Sequence, residues 1–180
     1  MHYRLFFLLI LIFLLPANTI AAPNEIHSSR AMEIQAAFLV KFSAYVKWPE
    51  SAFSGSGDPV IIGIVGRDPF GSTVDRIARS FKAKGRSVEI RRFTNSAAIT
   101  KSHVLFIPSS EQGNMNEIQS ALSGNSVLLV GNFPGFLEQS GIINFVMVGK
   151  KIRFNISRTN YQKVGLAISS KLLAVAHGIK

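Results

Sequence analysis

Three short, almost entirely apolar runs constrain the fold of this 180-residue chain more than any other feature. They cover Val60–Val65, residues 103–107 and residues 127–130, and each is bounded by Pro, Gly or Ser. Runs of this length without polar alternation are typical of strands that are covered on both faces. Helical patterns lie between them, one of them over residues 115–122. This order predicts a parallel sheet with helices on both faces, the α/β class of fold.

Three further strand patterns make the predicted sheet mixed. Residues 88–93 alternate apolar and polar side chains, which predicts an edge or half-exposed strand. Residues 142–148 and Lys151–Ile156 flank Gly149-Lys150, a two-residue turn with Gly first that favours an antiparallel hairpin. The sequence therefore predicts a single α/β domain: a mixed, mostly parallel sheet flanked by helices on both faces, with a C-terminal β-hairpin and helix.

Two apolar stripes predict the helices at the two ends of the domain. The first predicts an opening helix from residue 28 or 29 to about Trp48, because Pro49 disfavours helical geometry in the residue before it. The second runs from Tyr161 to Val175 and predicts one continuous helix over about residues 159–176, with Gly178 as its terminator. This last stripe fits either the core or a surface for a second copy of the chain.

The first 21 residues have the three-part layout of a secretory signal peptide. Arg4 and the amino terminus form a positive start, residues 5–15 are apolar, and small residues follow. The apolar run is about half of the ~20 residues that span a bilayer, so a cleavable signal is favoured over a permanent anchor. We therefore predict cleavage after Ala21 and an exported mature domain of residues 22–180.

Cysteine and charge narrow the chemistry of that domain. The chain has no Cys, which excludes disulfides, thiol catalysis and thiolate metal sites. Its formal net charge is +10, which loss of Arg4 lowers by one, and its basic residues concentrate in residues 76–92 and 150–163. A solvated face explains such charge. The alternatives for an exported protein are acidic lipid headgroups, cell-wall polymers or an acidic protein partner.

No recognisable catalytic motif occurs in the sequence. Of the four His residues, His2 leaves with the signal, His27 and His177 lie near the ends, and His103 opens a predicted strand, where a structural role is favoured. There is no HExxH, no GxSxG and no close carboxylate pair of the kind that hydrolyses glycosides. We therefore predict a protein that is not an enzyme and that uses no cofactor and no metal.

The loop of residues 66–71 is the first candidate site. A Gly-rich turn between strand and helix can hold a phosphate on backbone N–H groups, but this loop lacks the spacing of nucleotide-binding motifs, so a tight turn is favoured. In open α/β sheets, ligands nevertheless prefer the crevice at the carboxyl ends of the strands. The predicted ligand-binding residues at that edge are Arg67, Asp68, Phe70, Asn132 and Phe136.

Aromatic and basic residues form a second candidate site, for a protein partner. Trp48 fits either a lid on the core or an interface anchor, since Trp is enriched at interface hot spots. Two Phe residues lie in the Pro/Gly loop of residues 132–140 rather than on a periodic face, and loop aromatics are good docking candidates. The predicted partner-binding residues are Trp48, Phe133, Phe136, Arg91 and Arg92.

Four motifs in order resemble the YfiR-type family of periplasmic regulators, from about Gln35 to Ala176. The motifs are AFL with KWP at residues 37–49, IGIVGRDPFG at residues 62–71, GIINF with IRF at residues 141–154, and GL with SSKLL at residues 165–173. The sequence departs from the family pattern at Ser140, where the family doubles a Gly, and at Ser157, where it has an Asn.

The resemblance implies a regulator. In that family, the periplasmic protein binds and represses the periplasmic sensor domain of a membrane-bound diguanylate cyclase, which lowers cyclic di-GMP and biofilm formation. An outer-membrane lipoprotein can sequester the repressor, and a homodimer is plausible. The resemblance implies no nucleic-acid partner. The alternative function is a periplasmic small-ligand binding module without a cyclase partner.

Overall fold

The computed structural model describes residues 23–180, with side chains described from residue 29 onward. The predicted signal peptide, residues 1–21, lies outside the described residues. Among the residues described, no helix combines the length and the apolar character needed to cross a membrane.

The described chain contains five α-helices and ten strands. The helices are α1 (Pro23–Tyr45), α2 (Ser72–Arg79), α3 (Met115–Ala121), α4 (Arg158–Lys163) and α5 (Ser170–Leu173). The strands are β1 (Val46–Lys47), β2 (Val60–Val65), β3 (Lys82–Ala83), β4 (Arg86–Phe93), β5 (Val104–Ile107), β6 (Leu128–Gly131), β7 (Ile143–Val148), β8 (Lys151–Ile156), β9 (Ala167–Ile168) and β10 (Gly178–Ile179).

Eight strands form one sheet in the order β10-β8-β7-β6-β5-β2-β4-β3, and β1 pairs with β9 in a small antiparallel sheet. The neighbours from β4 through β2, β5 and β6 to β7 are parallel, whereas β7 and β8 form the antiparallel hairpin. Gly149 opens the hairpin turn with a φ of 59°, which glycine adopts without steric cost. The predicted mixed, mostly parallel sheet is confirmed.

The sheet is covered on both faces, as predicted. On one face, α1 and α2 pack over the alternate residues Val60, Ile62 and Ile64 of β2 and their neighbours. On the other face, α3 and the loop of residues 132–140 bury side chains such as Leu105 and Ile107 of β5. Central strands with both faces covered must be apolar throughout, which explains the uninterrupted runs in the sequence.

Four Phe rings fasten the hairpin to α1. Phe42 lies 5.1 Å from Phe154 and 5.7 Å from Phe145, measured between ring centroids. Phe38 lies 5.5 Å from Phe154 and stacks on Phe42 at 6.0 Å. Aromatic pairs at these distances stabilise a fold by about 0.5–1.5 kcal/mol beyond their buried area. The hairpin is therefore held firmly at its base, while its tip extends past the cluster.

The opening helix ends at Tyr45, three residues before the predicted end at Trp48. Val46 and Lys47 leave the helix to pair with Ile168 and Ala167 of β9. The apolar stripe includes Val46 because this residue is buried in the β1–β9 pair instead of in helix packing, whereas Lys47 is exposed.

The prediction of one continuous final helix is wrong. The segment contains α4, then β9, then α5, because Gly165 adopts a φ of 73° that ends the first helix. The Ser169 side chain then accepts a hydrogen bond from the Leu172 N–H and starts α5. Val175, the last residue of the predicted apolar stripe, is 61% exposed and is not part of the core. Gly178 does not terminate a helix but begins β10, opposite Asn155 of β8.

Candidate functional site

The loop after β2 is tied to β4 by Arg92. Its Nε donates to Asp68 Oδ2 at 2.8 Å, and its Nη2 donates to Asp75 Oδ2 at 2.6 Å and to the Gly71 carbonyl oxygen at 3.1 Å. The side-chain hydrogen bond between Arg92 and Asp75 is the main cause of a lowered carboxyl pKa and a raised guanidinium pKa. The donors of Arg92 are thus largely used within the chain, which fixes the loop rather than displaying a free cation.

The rest of this loop is also occupied by the protein itself. Asp68 accepts a second hydrogen bond, at 2.7 Å, from the N–H of Phe70. A side chain added at Gly66 would collide with the carboxylate of Glu111, so that carboxylate lies directly over the glycine. An acidic group at this position opposes a bound phosphate, which supports the tight-turn interpretation. Arg67 is exposed beside it.

The predicted ligand-binding residues do not form one open crevice. Phe70 is 5% exposed and packs against Phe106 at 4.7 Å between centroids. The Asn132 Oδ1 accepts a hydrogen bond from the Ser109 N–H at 3.0 Å and so closes the ends of β5 and β6. Phe136 has no exposed surface. The residues cluster at the carboxyl edge of the sheet, but most of their polar atoms and rings face the protein.

The two Phe residues of the loop at residues 132–140 are buried, whereas the predicted docking role requires them to be exposed. Phe133 and Phe136 pack edge to face at 5.0 Å and belong to the core under α3. Gly131 and Gly141 lie so close to the Phe136 ring that a Cβ at either position would overlap it. In this conformation neither ring can contact a partner. Arg91 remains half-buried at the surface, where its Nε donates to Glu89 at 2.7 Å.

Trp48 closes the opposite, amino edge of the sheet. It is 8% exposed, and its Nε1 donates to the His103 carbonyl oxygen at 3.2 Å. The His103 ring stacks on Phe53 at 4.3 Å, and Arg86 places its Cζ 4.0 Å from the Phe53 centroid. Trp48 therefore acts as a lid on the core in this structure rather than as an exposed anchor.

His103 is buried in a neutral form. Its Nδ1 accepts a hydrogen bond from the Ile61 N–H at 3.0 Å, so its Nε2 carries the proton that it donates to the Ala52 carbonyl oxygen at 3.1 Å. Burial lowers the pKa of the imidazole, and the nearby Lys101 and Arg86 lower it further. These contacts agree with the structural role expected for this histidine.

Two cavities lie near the end of α3. One, of about 400 Å³, is bounded by residues 51–52, 99–103 and 121–127 beside His103. The other, of about 300 Å³, lies between residues 119–129 and α4. Neither is lined by any of the predicted ligand-binding residues. Within residues 29–180, no group of three or more His, Cys, Asp or Glu side chains could hold a metal ion.

A third concavity, of about 530 Å³, lies between the first half of α1 and the tip of the hairpin. We call it the basic groove; it is lined by Arg30, Ala31, Ile34 and Phe38 on α1 and by residues 147 and 149–153 on the hairpin. Sequence reasoning noted the basic residues of the hairpin but missed the apolar ones beside them. The signal in the sequence was Met147, an apolar residue close to the hairpin turn at Gly149 and to the basic residues that follow it.

A comparison with protein families places the chain. A family model described as YfiR/HmsC-like matches residues 32–177. The chain belongs to the YfiR/HmsC-like family. The YfiR/HmsC-like family is periplasmic and regulatory rather than catalytic, and membership suggests a regulator of a diguanylate cyclase. No protein with a curated description matches the sequence.

Two solved structures share the fold of this YfiR/HmsC-like chain. A conserved domain protein from Vibrio cholerae O1 biovar eltor is 15% identical with a TM-score of 0.53 over 83% of this chain. The ABC domain in complex with L-Trp from Streptococcus pneumonia is 13% identical with a TM-score of 0.55 over 81% of this chain. The match covers 60% of each of those structures. Identities this low show the α/β fold alone.

Proposed function

We propose that this protein is an exported periplasmic regulator that binds and represses the periplasmic sensor domain of a membrane-bound diguanylate cyclase. The observation that carries the proposal is the family match over residues 32–177. The uncompensated positive charge of the surface supports a role in association, because charge complementarity steers encounters between proteins. Repression lowers the concentration of cyclic di-GMP in the cytoplasm, on the far side of the inner membrane. Lower cyclic di-GMP in turn reduces biofilm formation.

The proposal also covers how the protein is exported and which other partners it has. Residues 1–21 act as a cleaved signal peptide, and residues 22–180 form the working domain. An outer-membrane lipoprotein relieves repression by sequestering the domain, and a homodimer is one form that the family resemblance allows. Of the two arginines first predicted as contacts, Arg91 has more donors left for a partner, since it bonds to Glu89 while Arg92 is engaged by three groups of its own chain.

A deletion strain that carries a cognate cyclase tests the function. We expect cyclic di-GMP and biofilm to rise on deletion, and to return to the starting level when the full chain is restored. A chain that starts at residue 22 and stays in the cytoplasm is the matched control, because it folds in the wrong compartment and should not restore repression. Unchanged cyclic di-GMP in the deletion strain contradicts the proposal.

The cavities near α3 favour a second candidate function, the binding of a small ligand. Their volumes of about 300 and 400 Å³ lie at the lower end of the range of natural ligand pockets. A thermal-shift screen of metabolites tests this function. A hit whose shift is lost in Asn125→Ala assigns the ligand to these cavities, whereas loss in Arg67→Ala assigns it to the carboxyl edge. A broad screen without any shift counts against ligand binding.

A further inference from the structure

We infer that the basic groove binds an acidic, partly apolar segment of the protein partner; the identity of that partner rests on the proposed function. Apolar side chains that line the groove are exposed to water. Of the residues that line the groove, Met147 is 58% exposed and Ile34 37%. Water contact with such side chains is unfavourable, and grouped exposed apolar residues mark interaction surfaces.

The charge around this apolar floor has one sign. Arg30, Lys150, Lys151 and Arg153 line the groove, and no acidic residue does so among the side chains described. None of the four takes part in any of the five ion pairs formed by those side chains. Glu33, the acidic residue of α1 nearest in sequence, is paired with Arg76 of α2 instead. The groove therefore offers four cations that no described acidic side chain neutralises.

Among the side chains described, a second copy of this chain offers few free acidic groups for these cations. Of the nine acidic side chains described, eight already accept a hydrogen bond or an ion pair within the chain. The remaining one, Glu50, lies on a 3-10 turn without buried residues. The occupant is thus a different protein that carries Glu or Asp beside exposed apolar side chains.

The shape of the surface favours a peptide segment over a membrane. Apolar side chains that enter a lipid surface project outward, whereas Ile34, Phe38 and Ile152 line a concave space. Phe38 is fixed from below by Phe42 and Phe154, so the floor is already formed before binding. A preformed floor with cations at its rim resembles the grooves that accept one face of an amphipathic helix.

The direct test uses a short fluorescein-labelled helical peptide of Leu and Glu residues, with binding to residues 22–180 followed by fluorescence anisotropy. Met147→Asp and the double variant Lys150→Glu/Lys151→Glu should each weaken binding by about tenfold or more, as loss of a central anchor or of paired charge does. A peptide with Lys in place of each Glu should not bind. Added salt should weaken the interaction because charge attraction is screened.

Matched controls separate the groove from general surface effects. Val175→Asp introduces the same charge at an apolar residue of similar exposure, 61%, outside the groove. Lys163→Glu/Lys171→Glu makes the same charge change at two exposed lysines elsewhere. Both controls should bind the peptide within about twofold of the natural chain, a difference well under 1 kcal/mol. Equal binding by all variants, or no binding by the natural chain, overturns the inference.

Two further probes identify the occupant. If the cyclase periplasmic domain binds, competes with the peptide and is weakened by the groove variants, the inference stands together with the proposed function. If the peptide binds in the groove and the domain does not bind at all, the inference stands and the cyclase function fails. If the domain binds all variants equally, the inference fails and the function stands. Capture by phosphatidylglycerol vesicles, lost in the groove variants without peptide binding, overturns the inference in favour of a lipid surface.

Discussion

At the scale of single residues, His103 joins three separate segments through its imidazole ring and its backbone carbonyl. Its two nitrogens bond to Ile61 and Ala52, and its carbonyl oxygen accepts from Trp48. Protonation of Nδ1 would place an N–H against the N–H of Ile61. A buried donor without an acceptor is destabilising, so the folded state depends on the neutral ring.

Acid should therefore weaken the fold through His103. Its folded-state pKa is lowered, so the unfolded chain binds the proton more readily. This contribution is complete above the unfolded pKa of about 6.5 and is lost as the pH falls below it. We expect the unfolding free energy, measured by urea titration followed by circular dichroism, to fall between pH 7.5 and pH 5.

A matched pair of variants tests whether His103 causes this dependence of the unfolding free energy on pH. His103→Gln should flatten the dependence on pH, even though it lowers stability overall. His177→Gln, at an exposed histidine, should leave the slope unchanged. A slope that survives in His103→Gln assigns the effect to other groups.

At the scale of elements, glycine and arginine positions decide where helices end and how loops are held. Gly165 separates α4 from α5, and Arg92 fastens the loop after β2. Neither role is visible in the apolar periodicity of the sequence. The stripe from Tyr161 to Val175 has the right spacing for one helix, yet the backbone turns left-handed in its middle.

Replacement of Gly165 should destabilise the C-terminal segment. Gly165→Ala places a Cβ 3.7 Å from Ser126 Oγ, an ordinary van der Waals contact, so its cost comes from the φ of 73°. We expect a loss of about 1–2 kcal/mol in unfolding free energy, the cost of left-handed backbone for an L-residue. Gly57→Ala is the control, because it has open space and no left-handed backbone, and should change stability little. Equal effects from both variants contradict this account.

The two neighbouring arginines of β4 should differ in their contribution to stability. Arg92→Gln removes charge-assisted bonds to Asp68 and Asp75 and should lower the unfolding free energy by about 1 kcal/mol, since these groups are partly exposed. Arg91→Gln removes one exposed pair with Glu89 and should cost about 0.5 kcal/mol or less. Chemical denaturation measures both. A larger loss from Arg91→Gln would contradict the assignment of Arg92 as the tie of the loop.

At the scale of the whole molecule, the central strands of the sheet were the most predictable part. The apolar runs that form β2, β5 and β6 agree with the prediction to within one residue. Strands that are buried on both faces consist almost entirely of apolar residues, so they can be recognised in the sequence. The site was less predictable. Phe133 and Phe136 lie among Pro and Gly residues, which is typical of an exposed loop. The loop instead folds back over the sheet and buries both rings, and no local sequence pattern predicts this burial. The basic groove joins α1 to a hairpin more than a hundred residues away.

One sheet shared by two cores should unfold as a unit. Phe42→Ala on the α1 face and Phe136→Ala on the α3 face each empty a fully packed site, with an expected loss of about 3–5 kcal/mol. Because both cores rest on the same central strands, calorimetry should show one transition that shifts down in either variant. Two separate transitions in either variant would contradict a single cooperative domain.

The burial of Trp48 gives the protein an optical reporter of its own. It is the single tryptophan of the chain, and its ring meets His103 edge to face at 5.9 Å between centroids. Indole emission shifts to longer wavelength on contact with water and is quenched by a charged imidazole. The emission wavelength would therefore report unfolding, and the emission intensity would report protonation of His103. The basic groove contains no tryptophan. A change in emission when the unlabelled Leu and Glu peptide binds in the groove would therefore show that the groove is coupled to the amino edge of the sheet at Trp48.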